Sequence, residues 1–155
     1  MSAARKYYIL LIGPCAALLL YAGSYLLLRA GLPAQLVRHL GPDGAGYGST
    51  PLVLGVVAAI AAAAFGIGAW VCNDFTTLGH WYAGPKAIVV SFLAAGYAVL
   101  ALGLGMMLAA SIVPGTEDQG SNVTGYSLLA LIAGFSAAAA VLARILPAAR
   151  REALG

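Results

Sequence analysis

Charge is scarce in this chain. Asp, Glu, Lys and Arg together make up 8 % of its 155 residues, against 62 % hydrophobic, where a soluble domain carries roughly 25 % charged residues. So little charge leaves too little polar surface for a water-soluble fold, and no stretch is left over for a separate soluble domain. No charge stands in the middle of any long apolar run. An ionisable group at the centre of a membrane helix costs about 2.5–3.5 kcal/mol and marks proton or ion pathways. Its absence argues against a proton pump or an ion-coupled carrier.

Metal and redox chemistry are thinly provided for. The two cysteines, Cys15 and Cys72, form no C-x-x-C, which argues against a membrane thiol oxidoreductase. Acylation of Cys72 is the lesser reading beside a buried, inert thiol. His39 and His80 are the only histidines, and they fall in loops expected on opposite sides of a membrane, so they cannot share a haem. His80 with Asp74 offers two ligands, short of the three or four protein ligands of a zinc site. No basic patch with interleaved aromatics exists, so nucleic acid is not an expected partner. Nor do the two halves match as repeats of the kind that build secondary transporters.

What the chain does have is four apolar runs, at residues 7–28, 52–72, 88–113 and 126–145. About 20 helical residues span roughly 30 Å, the thickness of the hydrocarbon core. The expected fold is an all-α integral membrane protein, a single four-transmembrane-helix bundle over residues 1–155. Arg5 and Lys6 give the first run a signal-like start, but it outlasts the 7–15 residues of a signal core, so it reads as a retained helix. Pro51 opens the second run, Gly84-Pro85 precedes the third, Pro114-Gly115 closes it and Pro147 follows the fourth. Pro14, beside Gly13, falls inside the first run and predicts a kink.

Basic residues orient the bundle. Arg5, Lys6, Lys86, Arg144, Arg150 and Arg151 share one side, while Arg29 and Arg38 lie on the other. The positive-inside rule puts both termini in the cytoplasm, with a plasma or inner membrane as the expected location. Tyr7, Tyr8, Trp70, Trp81, Tyr82 and Tyr126 read as interface anchors.

Small residues mark the expected packing faces. Gly55, Ala59, Ala62 and Gly66 form a stripe on helix 2, Gly134 and Ala138 with Ala130 and Ala137 one on helix 4, and Gly96, Gly103 and Gly105 lie on helix 3. Their main expected use is packing within the bundle, with docking of another subunit as the second use. Helix 1, rich in leucine, is expected to face lipid.

Polar residues are few and suggest three groups. Tyr21 and Tyr25, four apart, and Tyr97 are candidates for a solute path, although packing and backbone hydrogen bonding is the stronger reading. The middle loop carries Asn73, Thr76 and Thr77 with Asp74, His80, Trp81 and Lys86. The last four are candidate contacts for a partner or for lipid headgroups. Asp74 and His80 resemble an acid–base pair but lack a nucleophile motif. In the first outer loop, Leu32, Leu36 and Leu40 predict a short amphipathic surface helix, followed by a flexible or partner-ordered segment 41–49. In the third loop, Asn122-Val123-Thr124 matches a glycosylation acceptor, but it falls a few residues from Tyr126, too near the membrane for modification.

The expected function is therefore a non-catalytic accessory subunit of a larger membrane complex, with membrane lipids and other membrane subunits as partners. No catalytic, metal or cofactor residue is assigned, and bound lipid is expected. A homo-oligomeric channel or transporter for an uncharged or amphipathic solute is the alternative, and a membrane-embedded enzyme the third reading.

Overall fold

The computed structural model describes residues 8–41, 44–112 and 119–150. A π-helical turn, Tyr8–Ile12, leads into α1 (Gly13–Leu28), which ends in a 3-10 turn, Arg29–Gly31. A hairpin of β1 (Gln35–Gly41) and β2 (Gly44–Ser49) follows, then α2 (Thr50–Thr77), α3 (Ala83–Ile112) and α4 (Gln119–Ile145). All four helical segments are long and apolar enough to cross a membrane. Pro14, expected to kink the helix, stands in the first turn of α1, directly after the π-helical turn. Proline has no N–H for the carbonyl of Leu10, and the turn before it opens to the wider π spacing.

α2, α3 and α4 begin before the apolar stretches that announce them, and α2 also ends beyond its own. Hydropathy marks the part that lipid touches, whereas the backbone stays helical for as long as helical hydrogen bonds are its best partners. At the end of α2, Thr76 Oγ1 donates to Cys72 O and Thr77 Oγ1 to Asp74 O, so these polar residues bond to their own helix. Asn73, Asp74, Thr76 and Thr77 thus belong to α2, and Lys86 to the start of α3, leaving only residues 78–82 between them.

α3 forms the middle of the bundle and is the one helix in extensive contact with the other three. Leu93, Met107 and Val89 are fully buried along it. Its glycines admit bulky neighbours. A Cβ on Gly96 would lie 2.5 Å from the Phe65 ring, and one on Gly103 would lie 2.5 Å from the Tyr21 hydroxyl. Gly105 fits against Ala130 and Ser127, and from the other side Gly134 fits against Ala101. Ala138 is half-buried.

The small-residue stripe of α2 turns the other way. Gly55, Ala59, Ala62 and Gly66 are all exposed, and a Cβ on Gly55 or Gly66 would meet nothing within 4 Å. α2 instead buries Leu54, Val57, Ala61, Phe65, Gly68 and Cys72, a row at three- and four-residue spacing on one helix face. The expectation that the stripe packs within the bundle is corrected: α2 turns its bulky row toward α3, where Phe65 lies over Gly96 and Val57 over Gly103, and this leaves the small row on the outer side. On α1, Leu19, Leu20, Leu26 and Leu27 point outward.

The first outer connection departs most from expectation. In place of a surface helix through Leu32, Leu36 and Leu40 and a flexible 41–49, residues 35–49 pair as an antiparallel hairpin. Gln35 faces Ser49, Leu36 faces Gly48 and Val37 faces Tyr47, with a bulge between Val37 and His39. Gly44, Gly46 and Gly48 would each cost about 1 kcal/mol relative to alanine inside a helix, whereas strand pairing satisfies the backbone directly. Neighbouring strand residues point to opposite faces, so the burial of both Leu36 and Val37 means that the hairpin is covered on both sides there. Thr50 anchors it through its N–H to Ala34 O and its hydroxyl to Pro33 O. The loop placement of Asn122-Val123-Thr124 is also corrected: the triplet lies within α4 and Val123 is buried. Pro114 and Gly115, like Arg5, Lys6, Tyr7 and Arg151, lie outside the described residues.

Candidate functional site

The polar groups gather where α2 ends, α3 begins and α4 ends. Gly79, at φ +74°, gives the connection its reversal, a backbone conformation that glycine adopts at little cost. Beyond Ile145 the chain leaves α4 and runs back beneath this turn. Arg150 N donates to Trp81 O at 2.8 Å, Trp81 Nε1 to Pro147 O at 3.2 Å, and Arg150 Nη1 reaches Gly79 O at 3.4 Å. We call this arrangement the clasp.

The clasp changes what the candidate residues do. Trp81, expected at a membrane surface or partner, is only 7 % exposed, because its indole is engaged in holding the returning tail. Trp70 is the outward-facing tryptophan, 70 % exposed. Lys86 Nζ donates to Ala143 O at 2.8 Å and approaches Leu146 O at 3.4 Å. A cation on the last carbonyls of a helix is favoured by both hydrogen bonding and the helix dipole. Lys86 is therefore an internal cap of α4. Asp74 and His80 are both exposed, and no ion pair or hydrogen bond joins them among the described residues. The acid–base pair is not assembled.

Beside the clasp lies a cavity of about 440 Å³, lined by Thr76, Thr77, Gly79, Trp81, Pro147 and Arg150. Pro147 and Arg150 were missed as site residues. They stand 66 and 71 positions from their partners Trp81 and Gly79, and no local pattern announces a tail that folds back. Pro147 marked only the end of a helix.

The tyrosines divide between two places. Tyr21 is buried and donates its hydroxyl to Leu54 O at 3.2 Å. With Tyr25, Leu18, Pro51 and Gly55 it lines a groove of about 360 Å³ between α1 and α2. Tyr97 meets Phe65 edge to face, with ring centroids 4.8 Å apart, and borders a different groove of about 360 Å³ with Gly134, Ala138 and Val141. The three do not line one common path. Ala61, Phe65 and Leu93 are buried in the core of the bundle. Cys15 is exposed and Cys72 buried, both free thiols. Among the described residues no three His, Cys, Asp or Glu side chains come together.

These features define a class: a multi-pass bundle of four membrane-length helices, with a small β-hairpin at one end and a polar clasp at the other. No protein-family model, curated protein or solved structure matches the chain.

Proposed function

We propose that the chain is a small, non-catalytic subunit that packs through α2 against a transmembrane helix of a larger membrane complex. The observation that carries this reading is the outward placement of Gly55, Ala59, Ala62 and Gly66. Lipid tails are as apolar as leucine, so helices associate in a bilayer through close approach and dense van der Waals contact, for which small residues are the means. Gly96, Gly103 and Gly105 of α3 are already covered by partners within the bundle, whereas Gly55 and Gly66 of the α2 stripe are uncovered. Leucine-faced α1 has the opposite character and suits lipid.

In this reading the clasp faces the cytoplasm, because Lys86, Arg144 and Arg150 collect at that end. The membrane is a plasma or inner membrane, and lipids occupy the grooves between helices. Gentle extraction of a tagged chain followed by native mass measurement tests the proposal. A hetero-assembly of fixed stoichiometry is the expected result, and a stable monomer without partners contradicts it. A homo-oligomer would favour the second reading, a channel or carrier for an uncharged or amphipathic solute. The groove lined by Tyr21 and Tyr25 is what speaks for that alternative. Its path would run between copies, since the tyrosines of one bundle line separate grooves.

A further inference from the structure

We infer that the cavity beside the clasp is a headgroup site for an anionic phospholipid, with Arg150 on the phosphate and Thr77 on a headgroup hydroxyl. Position comes first. α2 has 28 residues, about 42 Å at 1.5 Å per residue. That exceeds the roughly 30 Å hydrocarbon core and matches the 40–45 Å that includes the headgroups. The last turn of α2, which forms one wall of the cavity, therefore falls in the headgroup layer. At about 440 Å³ the space is of the size that takes small-molecule groups.

The lining then sets the chemistry. Arg150 is the one charged residue in it among the described residues. Among the described residues its side chain makes a single long contact, 3.4 Å, with Gly79 O, out of the five N–H donors of a guanidinium. The planar fork of those donors matches phosphate oxygens. Thr77 gives its hydroxyl hydrogen to Asp74 O at 2.9 Å, so its oxygen offers the cavity an acceptor. A headgroup that joins a phosphate anion to a free hydroxyl, such as phosphoglycerol, complements both. A choline headgroup does not, since it has no hydroxyl to donate and would bring a second cation beside Arg150. Lys86 and Arg144 add positive charge at the same end, and Asp74 is the single acidic residue among the described ones. Trp81, Pro147 and Ala148 supply apolar wall.

The test uses the full chain in detergent, titrated with phosphatidylglycerol or phosphatidylcholine and read by native mass spectrometry. One phosphatidylglycerol per chain should be retained, about tenfold more tightly than phosphatidylcholine, and Arg150→Gln should erase the difference. That variant keeps the backbone bond from Arg150 N to Trp81 O, so the clasp persists, and a thermal melt checks that it does. Ala148→Phe, at an exposed lining position outside the clasp hydrogen bonds, should also lower retention by filling the space, and it decides the matter should Arg150→Gln fail to fold. Equal retention of the two lipids, or undiminished retention by Arg150→Gln, overturns the proposal. Soluble glycerol phosphate at millimolar concentration should leave the lipid in place. Should it displace the lipid and bind the lipid-free chain as tightly, the occupant is a soluble phosphate ester and the lipid assignment falls.

Discussion

At the residue scale, the bundle is held by large side chains set over missing ones. Phe65 occupies the space a side chain at Gly96 would fill, and Tyr21 with Val57 that at Gly103. Gly103→Leu would drive a side chain into the Tyr21 ring, and overpacking of this kind costs about 1–3 kcal/mol. Its unfolding midpoint in detergent should fall clearly, whereas Gly66→Leu, facing open space, should stay within about 0.5 kcal/mol of the wild type. Equal losses would mean that the faces are wrongly assigned. Tyr21→Phe should cost less than Gly103→Leu, about 0.6 kcal/mol for one hydrogen bond between helices, measured by the same unfolding. The importance of small residues was legible in the sequence. Which glycine row is covered was not, because the covering row of Leu54, Val57, Ala61 and Phe65 lies in a helix apolar on every side and has no contrast to reveal it.

At the scale of elements, the four helices were legible because an apolar run of bilayer length has few places to be stable outside a membrane. Their ends were not, since polar residues such as Asp74 and Thr77 extend a helix past the apolar stretch. The hairpin was hidden by the helical spacing of Leu32, Leu36 and Leu40, and its glycines read as flexibility although a pairing partner gives them order. Gln35 and Ser49 are directly paired, and paired antiparallel residues lie about 4.5–5.5 Å apart at Cα, within disulfide reach. In a background free of Cys15 and Cys72, Gln35→Cys with Ser49→Cys should crosslink under mild oxidation, seen as a mobility shift that reductant reverses. No crosslink would return this segment to the surface-helix reading. The clasp makes its own prediction. Trp81→Phe removes the bond to Pro147 O at a cost of about 1 kcal/mol, and hydrogen exchange at the Arg150 amide should quicken while exchange in the middle of α3 is unchanged.

At the scale of the whole molecule, each helix divides its surface between a bundle side and an outer side, and the outer sides differ in kind. α1 offers leucines, α2 a smooth row of glycine and alanine, and α4 a broad exposed face that includes Leu128, Leu129 and Ile132. The candidate site was half legible: the polar end was visible as a cluster of residue types, while its closure by the returning tail depends on contacts distant in sequence. The proposed role rests on the α2 face, and it is tested most directly by a photo-crosslinking residue at Ala59, compared with one at Leu19 on the outer side of α1. Irradiation in native membranes should join Ala59 to one protein of defined mass in fixed proportion, with Leu19 joined only to lipid, and Gly55→Leu with Gly66→Leu should abolish the Ala59 product while the unfolding midpoint holds. Lipid adducts alone at Ala59, or a protein product that survives both leucines, would contradict docking through this face.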